Sequence, residues 1–176
     1  MSRKVKIRLF FPFEEIKAAK SNLIMRKKTM LLAFVIIMAM AYMINSSIPP
    51  IREETYVTKV VDGDTIVVAG GQRVRLLSID TREKGENCYA EAKTRLEELI
   101  LLKNITLESD QEDKDQYDRL LRYVYLDGAN INMEMVAEGL AVVYIYEPNV
   151  KYRQDFADYE RQARANGTGC VWTTKP

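Results

Sequence analysis

Between Val61 and Glu83 the chain reads VDGDTIVVAGGQRVRLLSIDTRE. Asp62, Asp64, Asp80 and Glu83 sit around two turns, and Arg73, Arg75 and Arg82 lie among them. Carboxylates gathered at turns are ligands for a hard divalent cation. Arginine forks match the oxygens of a phosphate two at a time, which lysine does not do. A carboxylate beside a water supplies general-base help. Two acidic turns joined by an arginine strand thus bring together residue types that can bind a hard cation and an anion.

Composition narrows the choice. The chain has 176 residues and no histidine, which removes His-based triads, His general bases and His metal ligands. Two cysteines, Cys88 and Cys170, are too few for a Cys₄ zinc site. Metal binding must then use oxygen ligands, which selects Ca²⁺, Mg²⁺ or Mn²⁺. Charge is unevenly spread. Nine Lys/Arg stand against two Asp/Glu before Arg52, and seventeen against twenty-three from Arg52 onward, so a tail of net +7 precedes a domain of net −6. An acidic domain is not the usual footprint of a nucleic-acid binder, so a polyanion site here must be local.

The elements that carry these residues read as follows. Tyr56 to Val61, Thr65 to Ala69 and Arg73 to Ile79 are β-branched and strand-like, with Gly70-Gly71 as a tight hairpin turn. Ala90 to Leu102 is helical, with Leu96, Leu99 and Ile100 on one face. Ile105 to Glu108 and Leu120 to Leu126 are two further strands around the charged loop SDQEDKDQYD. Asn130 to Ala137 is a short helix closed by Gly139, and Val142 to Tyr146 is extended. Tyr152, Phe156, Tyr159 and Ala163 mark a last amphipathic helix. Five strands with a helix after the third suit an OB-type barrel with about three helices.

Three segments, VVDGDTI at Val60–Ile66, RLLSIDTRE at Arg75–Glu83 and DQYDRLLRYVY at Asp115–Tyr125, resemble the staphylococcal nuclease (thermonuclease) family, and EGLAVVYIYEPN at Glu138–Asn149 supports the likeness. The resemblance covers about Tyr56 to Trp172. It implies an OB-fold barrel and a Ca²⁺-dependent phosphodiesterase acting on DNA and RNA. It implies Asp64 and Asp80 as metal carboxylates, the Thr81 carbonyl as a third ligand, and Glu83 as the group that holds or deprotonates the attacking water. Arg75 and Arg119 would bind the scissile phosphate. Tyr117, Tyr144 and Tyr146 match aromatic positions around the nucleotide pocket.

The sequence departs from the family in two places. Arg82 stands where the family has proline between Thr and Glu, which loosens Glu83. Asp118 stands where it has glycine before the second arginine, and a carboxylate there is expected to pair with Arg119 or weaken phosphate binding. Each residue also has a plainer reading. Asp62 is a turn carboxylate, Arg73 a solvated face residue, and Arg122 and Tyr125 structural; Tyr144 and Tyr146 are as well explained by packing on one strand face. Arg75 and Asp80 are five apart, so a regular strand points them to opposite faces, and their convergence needs a bend near Asp80. Two alternatives to an enzyme stay open: an inactive OB-type nucleic-acid-binding module, and an anchored adaptor with no nucleic-acid role.

Residues 29–48, within an uncharged run after Arg26-Lys27-Lys28, read as a transmembrane anchor or signal segment, with 1–28 a basic tail and 49–55 a linker to a domain over 56–176. Met25 is an alternative start. The basic flank places the domain outside the cytoplasm, anchored or, if cleaved, secreted. Outside, thiols oxidise, and Cys88 before the first domain helix and Cys170 after the last are candidates for a bridge.

Overall fold

The computed structural model describes residues 13–46 and 52–173. The chain divides into two units, residues 1–49 and 50–176. The first contains helix α1 (Phe13–Ser46). Its large apolar residues from Met30 to Met40, Phe34 and Ile37 among them, are exposed. The helix begins well before the uncharged run and passes through Arg26, Lys27 and Lys28. Among the described residues no helix is long and apolar enough to cross a membrane. The expected span over 29–48 is therefore not found. Residues 47–48 lie outside the described residues.

In the second unit the elements are β1 (Arg52–Val60), β2 (Thr65–Val68), β3 (Arg73–Leu76), β4 (Ile79–Asp80), α2 (Tyr89–Ile100), β5 (Asn104–Glu108), β6 (Leu120–Leu126), β7 (Ala129–Asn130), α3 (Ile131–Ala137), β8 (Val142–Val143) and α4 (Arg153–Asn166). The strand order is β3-β2-β1-β5-β6, and β6 closes the barrel by pairing parallel with β3. This is the five-stranded OB barrel expected, with three helices in the domain among the described residues. Inward residues alternate along the strands at Ile66 and Val68, Val74 and Leu76, and Ile105 and Leu107, while a register shift in β1 turns both Val57 and Val60 inward; all are buried in one core with Leu96 and Ile100 of α2 and Phe156 of α4.

Several boundaries differ from expectation. β1 starts at Arg52, where a linker was expected, because Arg52 to Tyr56 pair with Glu108 to Asn104 of β5. A buried ion cluster secures that edge. Glu108 is fully buried and accepts from Arg52 Nε at 3.0 Å, Lys151 Nζ at 2.6 Å and the Tyr152 hydroxyl at 2.7 Å, tying the first strand to the segment before α4. The tyrosine at 159 is exposed rather than in the core. Glu160 takes the position one turn after Phe156, and its carboxylate accepts from the Val143 N–H at 2.7 Å. The C-terminal end is held by a disulfide between Cys88 and Cys170, with Cα atoms 5.3 Å apart. Gly139 and Gly169 meet near that end: a Cβ on Gly139 would lie 1.8 Å from the Thr168 carbonyl oxygen.

Candidate active site

The turn between β1 and β2 places Asp64. Asp62 Oδ1 accepts from the Asp64 N–H at 3.2 Å, the Asx turn expected of it. Gly63 lets the turn press on its neighbours, since a Cβ there would lie 2.8 Å from both Ala92 Cβ and Thr81 Cγ2. Asp64 is thereby buried and fully engaged. Oδ1 accepts from the Thr65 hydroxyl at 3.0 Å, and Oδ2 accepts from the Thr81 N–H at 3.0 Å and the Thr81 hydroxyl at 2.9 Å. Burial pushes its carboxyl up to about 6; Arg75 pulls the other way, and the Asp62 charge adds to the rise.

The bend required between Arg75 and Asp80 lies at Leu77-Ser78. β3 ends at Leu76, Ser78 takes a positive φ of 65°, and the chain resumes in β4 against β8. The bend returns Asp80 to the arginine. Arg75 Nη2 donates to Asp80 Oδ1 at 2.9 Å, and Nη1 donates to the Ile79 carbonyl at 2.8 Å and lies 3.3 Å from Asp64 Oδ2. One guanidinium thus joins both carboxylates expected to hold a metal.

A hard divalent cation fits this donor set. Asp64 and Asp80 already converge on one positive charge, every donor is oxygen, and the Asp80 side chain is 51% exposed and open to solvent. Among the described residues no group of three or more carboxylate, His or Cys side chains gathers to hold a metal. A cation here would draw its remaining ligands from the Thr81 carbonyl and water.

Arg119 comes from the start of the β6 segment and is aimed by a residue the sequence reading passed over. Asp115 Oδ2 accepts from Arg119 Nε at 2.7 Å and lies 2.6 Å from Nη2, while Oδ1 accepts from the Tyr117 N–H at 2.9 Å and the Arg119 N–H at 3.0 Å. Burial raises the Asp115 carboxyl, but the bonds from Arg119 and Tyr117 outweigh it and hold it below its ordinary value. A carboxylate four residues before an arginine in a turn-forming DQYDR was the available signal. Asp118 does not pair with Arg119 as expected; its carboxylate bonds Lys114 Nζ at 2.7 Å and is otherwise exposed. The reason is backbone geometry: Asp118 occupies the left-handed position, φ 61°, that the family fills with glycine.

Arg75, Arg119, Tyr117, Tyr144 and Tyr146 line one pocket of about 180 Å³, closed on the barrel side by Leu77, Ile79 and Leu121. Tyr117 and Tyr144 are 68% and 56% exposed, more than packing requires, and Arg119 lies over the Tyr117 ring at 5.4 Å. Tyr146 is half-buried and packs on the core. Tyr144 and Tyr146 lie beyond β8, in extended chain rather than on a strand. Glu83 is not brought into this pocket. It is exposed on the loop after β4 and lines a smaller hollow with Asp80, Thr81 and Glu86, whose Oε2 accepts from the Glu83 N–H at 2.9 Å.

Barrel and site define an OB-fold domain with a tyrosine-lined pocket that two arginines share, beside two aspartates. Residues 73–174 match the family model of the staphylococcal nuclease homologues, more than half of the chain, and the chain belongs to that family. It is 42% identical over 126 residues to endonuclease YncB of Bacillus subtilis, covering 65% of this chain and 59% of that one. It is 43% identical over 126 residues to the SPbeta prophage-derived endonuclease YokF of the same organism, covering 65% and 42%. It is 36% identical over 124 residues to the thermonuclease of Staphylococcus intermedius, covering 65% and 74%. The chain thus spans about half the length of the two Bacillus relatives.

Proposed function

We propose that this protein is a Ca²⁺-dependent endonuclease that hydrolyses phosphodiester bonds of DNA and RNA and leaves 3′-phosphate ends. The observation that carries the reading is the convergence of Arg75 and Arg119 on one tyrosine-lined pocket, with Arg75 also joining Asp64 to Asp80. The names of the relatives, endonuclease and thermonuclease, support it.

Arg75 and Arg119 bind the oxygens of the scissile phosphate, and their fixed forks favour the extra charge of the transition state. Tyr117 and Tyr144 offer ring faces to the nucleotide, and Tyr146 forms the wall behind them. Asp64, Asp80 and the Thr81 carbonyl would hold Ca²⁺, which when bound neutralises phosphate charge and polarises the P–O bond. Glu83, on the loop beside Asp80 and Thr81, accepts a proton from the attacking water. Thr65 and Thr81 keep Asp64 in one rotamer. The Cys88–Cys170 bridge supports a site of action outside the cytoplasm, where disulfides persist.

The test is single-turnover cleavage of single-stranded DNA by the full chain and by Arg75→Ala and Arg119→Ala. Each variant is expected to lose at least about a hundredfold in rate, the scale of one lost transition-state donor. Cleavage at the wild-type rate by both variants refutes the assignment.

A further inference from the structure

Next to the candidate active site lies a second, open groove lined by Gly70, Gly71, Gln72, Arg73, Tyr117 and Asp118. Tyr117 belongs to both, so its exposed ring is the shared wall between the tyrosine-lined pocket and the β2–β3 hairpin. Arg73 is the positive charge of this groove. It is exposed, and among the described residues it makes no salt bridge or side-chain hydrogen bond. Three other arginines near the site are committed: Arg75 to Asp64 and Asp80, Arg119 to Asp115, Arg122 to Asp113.

Strand register relates Arg73 to the active site. Along β3 Val74 is buried while Arg73 and Arg75 point outward on the same face. Residues two apart on a strand lie about 6.8 Å apart, close to the spacing of consecutive phosphates along a nucleic-acid strand. The hairpin carries no bulky side chain at its tip, because Gly70 and Gly71 both take left-handed φ, 83° and 80°, and a backbone can approach it closely. The carboxylate in the groove, Asp118, is offset by Lys114. The β2–β3 face is also where OB barrels commonly engage oligonucleotides.

We propose that this groove is a second nucleotide subsite, in which Arg73 binds the phosphate next to the scissile one while Tyr117 separates the two nucleotides. The inference rests on the nuclease reading and adds to it: the preferred substrate is a single-stranded oligonucleotide long enough to cross Tyr117, and a mononucleotide fills only the first pocket. A local cation on this path also answers how a domain of net negative charge holds a polyanion. Arg73, on this account, contributes to binding and not to the chemical step.

The experiment measures binding of a fluorescent single-stranded octanucleotide and of a nucleoside 5′-monophosphate, with chelator present to prevent cleavage, over a range of salt. The proteins are the wild-type chain, Arg73→Ala, and Arg161→Ala as a control that loses the same charge on exposed α4. Arg73→Ala is expected to weaken octanucleotide binding five- to tenfold at low salt. It is expected to flatten the slope of log K against log salt by about 0.7, the value of one phosphate contact on a single strand. The ratio of octanucleotide to monophosphate affinity falls with it, and Arg161→Ala moves neither. Arg73→Ala matching Arg161→Ala in slope and ratio, while the wild type binds, overturns the subsite alone. A wild-type chain that binds neither ligand overturns the nuclease reading and the subsite together.

Discussion

Replacing Asp115 by asparagine tests how the second arginine is aimed. Asp115 Oδ1 holds two backbone N–H groups of its own turn, and Oδ2 holds the Arg119 fork. Asparagine keeps an acceptor for the backbone and turns an amide toward the guanidinium, so the turn survives while the fork is released. A hydrogen bond to a charged group contributes about 1.5–3 kcal/mol. The two contacts share one carboxylate oxygen, so roughly 2–3 kcal/mol of positioning is at stake, and at 1.4 kcal/mol per tenfold that is about 30- to 150-fold in kcat/KM. The pH dependence has a definite sign. The Asp115 carboxyl is held below its ordinary value, so its contribution is complete above that value and is lost as pH falls through the lower, folded one. The assay is kcat/KM on single-stranded DNA near neutral pH, with a melting curve to show that the variant folds. A folded Asp115→Asn protein within threefold of wild type would refute the argument that this carboxylate aims Arg119.

Three further outcomes are expected. Because burial raises the Asp64 carboxyl to about 6, folding disfavours its charge; its contribution is fully present below the unfolded value and declines as pH rises through 6, so in chelator the wild type should lose stability relative to Asp64→Asn between pH 4 and 7, and parallel curves would contradict the burial argument. Reducing the Cys88–Cys170 bridge, which joins residues 82 apart, should cost up to about 4 kcal/mol in denaturant unfolding, and coincident oxidised and reduced transitions would deny it a stabilising role. Asp118→Gly relieves a left-handed aspartate and removes a carboxylate from the Arg73 groove, so DNA affinity should rise at low salt and converge on wild type at high salt; an unchanged low-salt affinity would remove Asp118 from the electrostatics of the site.

The barrel was legible because its signals are local and periodic. β-Branched residues in β2, alternation in β3, the paired glycines of the hairpin, and the apolar face of α2 each specify an element without reference to the rest. The site was legible as residue types, and the need for a bend between Arg75 and Asp80 followed from strand periodicity alone. The partnerships were not legible. That Asp115 and not Asp118 holds Arg119 depends on the sign of φ at residue 118, which a sequence of aspartates does not reveal. Arg52 to Thr55 read as a linker because their pairing partner, β5, lies about fifty residues away, and the Glu108 cluster that anchors them is assembled from three distant segments. Thr65 and Thr81 look like ordinary strand residues until burial of Asp64 makes their hydroxyls necessary. Among the described residues no helix is long and apolar enough to cross a membrane, and residues 47–48 of the expected segment lie outside them.

The central claim is that a cation held beside the arginine pocket makes this protein a catalyst and not merely a binder of nucleic acid. The measurement that tests it most directly is cleavage of an end-labelled single-stranded DNA by the full chain, with Ca²⁺ and with excess chelator, followed by identification of the product ends. Cleavage with Ca²⁺ alone, yielding 3′-phosphate ends, is the result predicted. Binding without cleavage under both conditions, or equal cleavage with and without chelator, would contradict it.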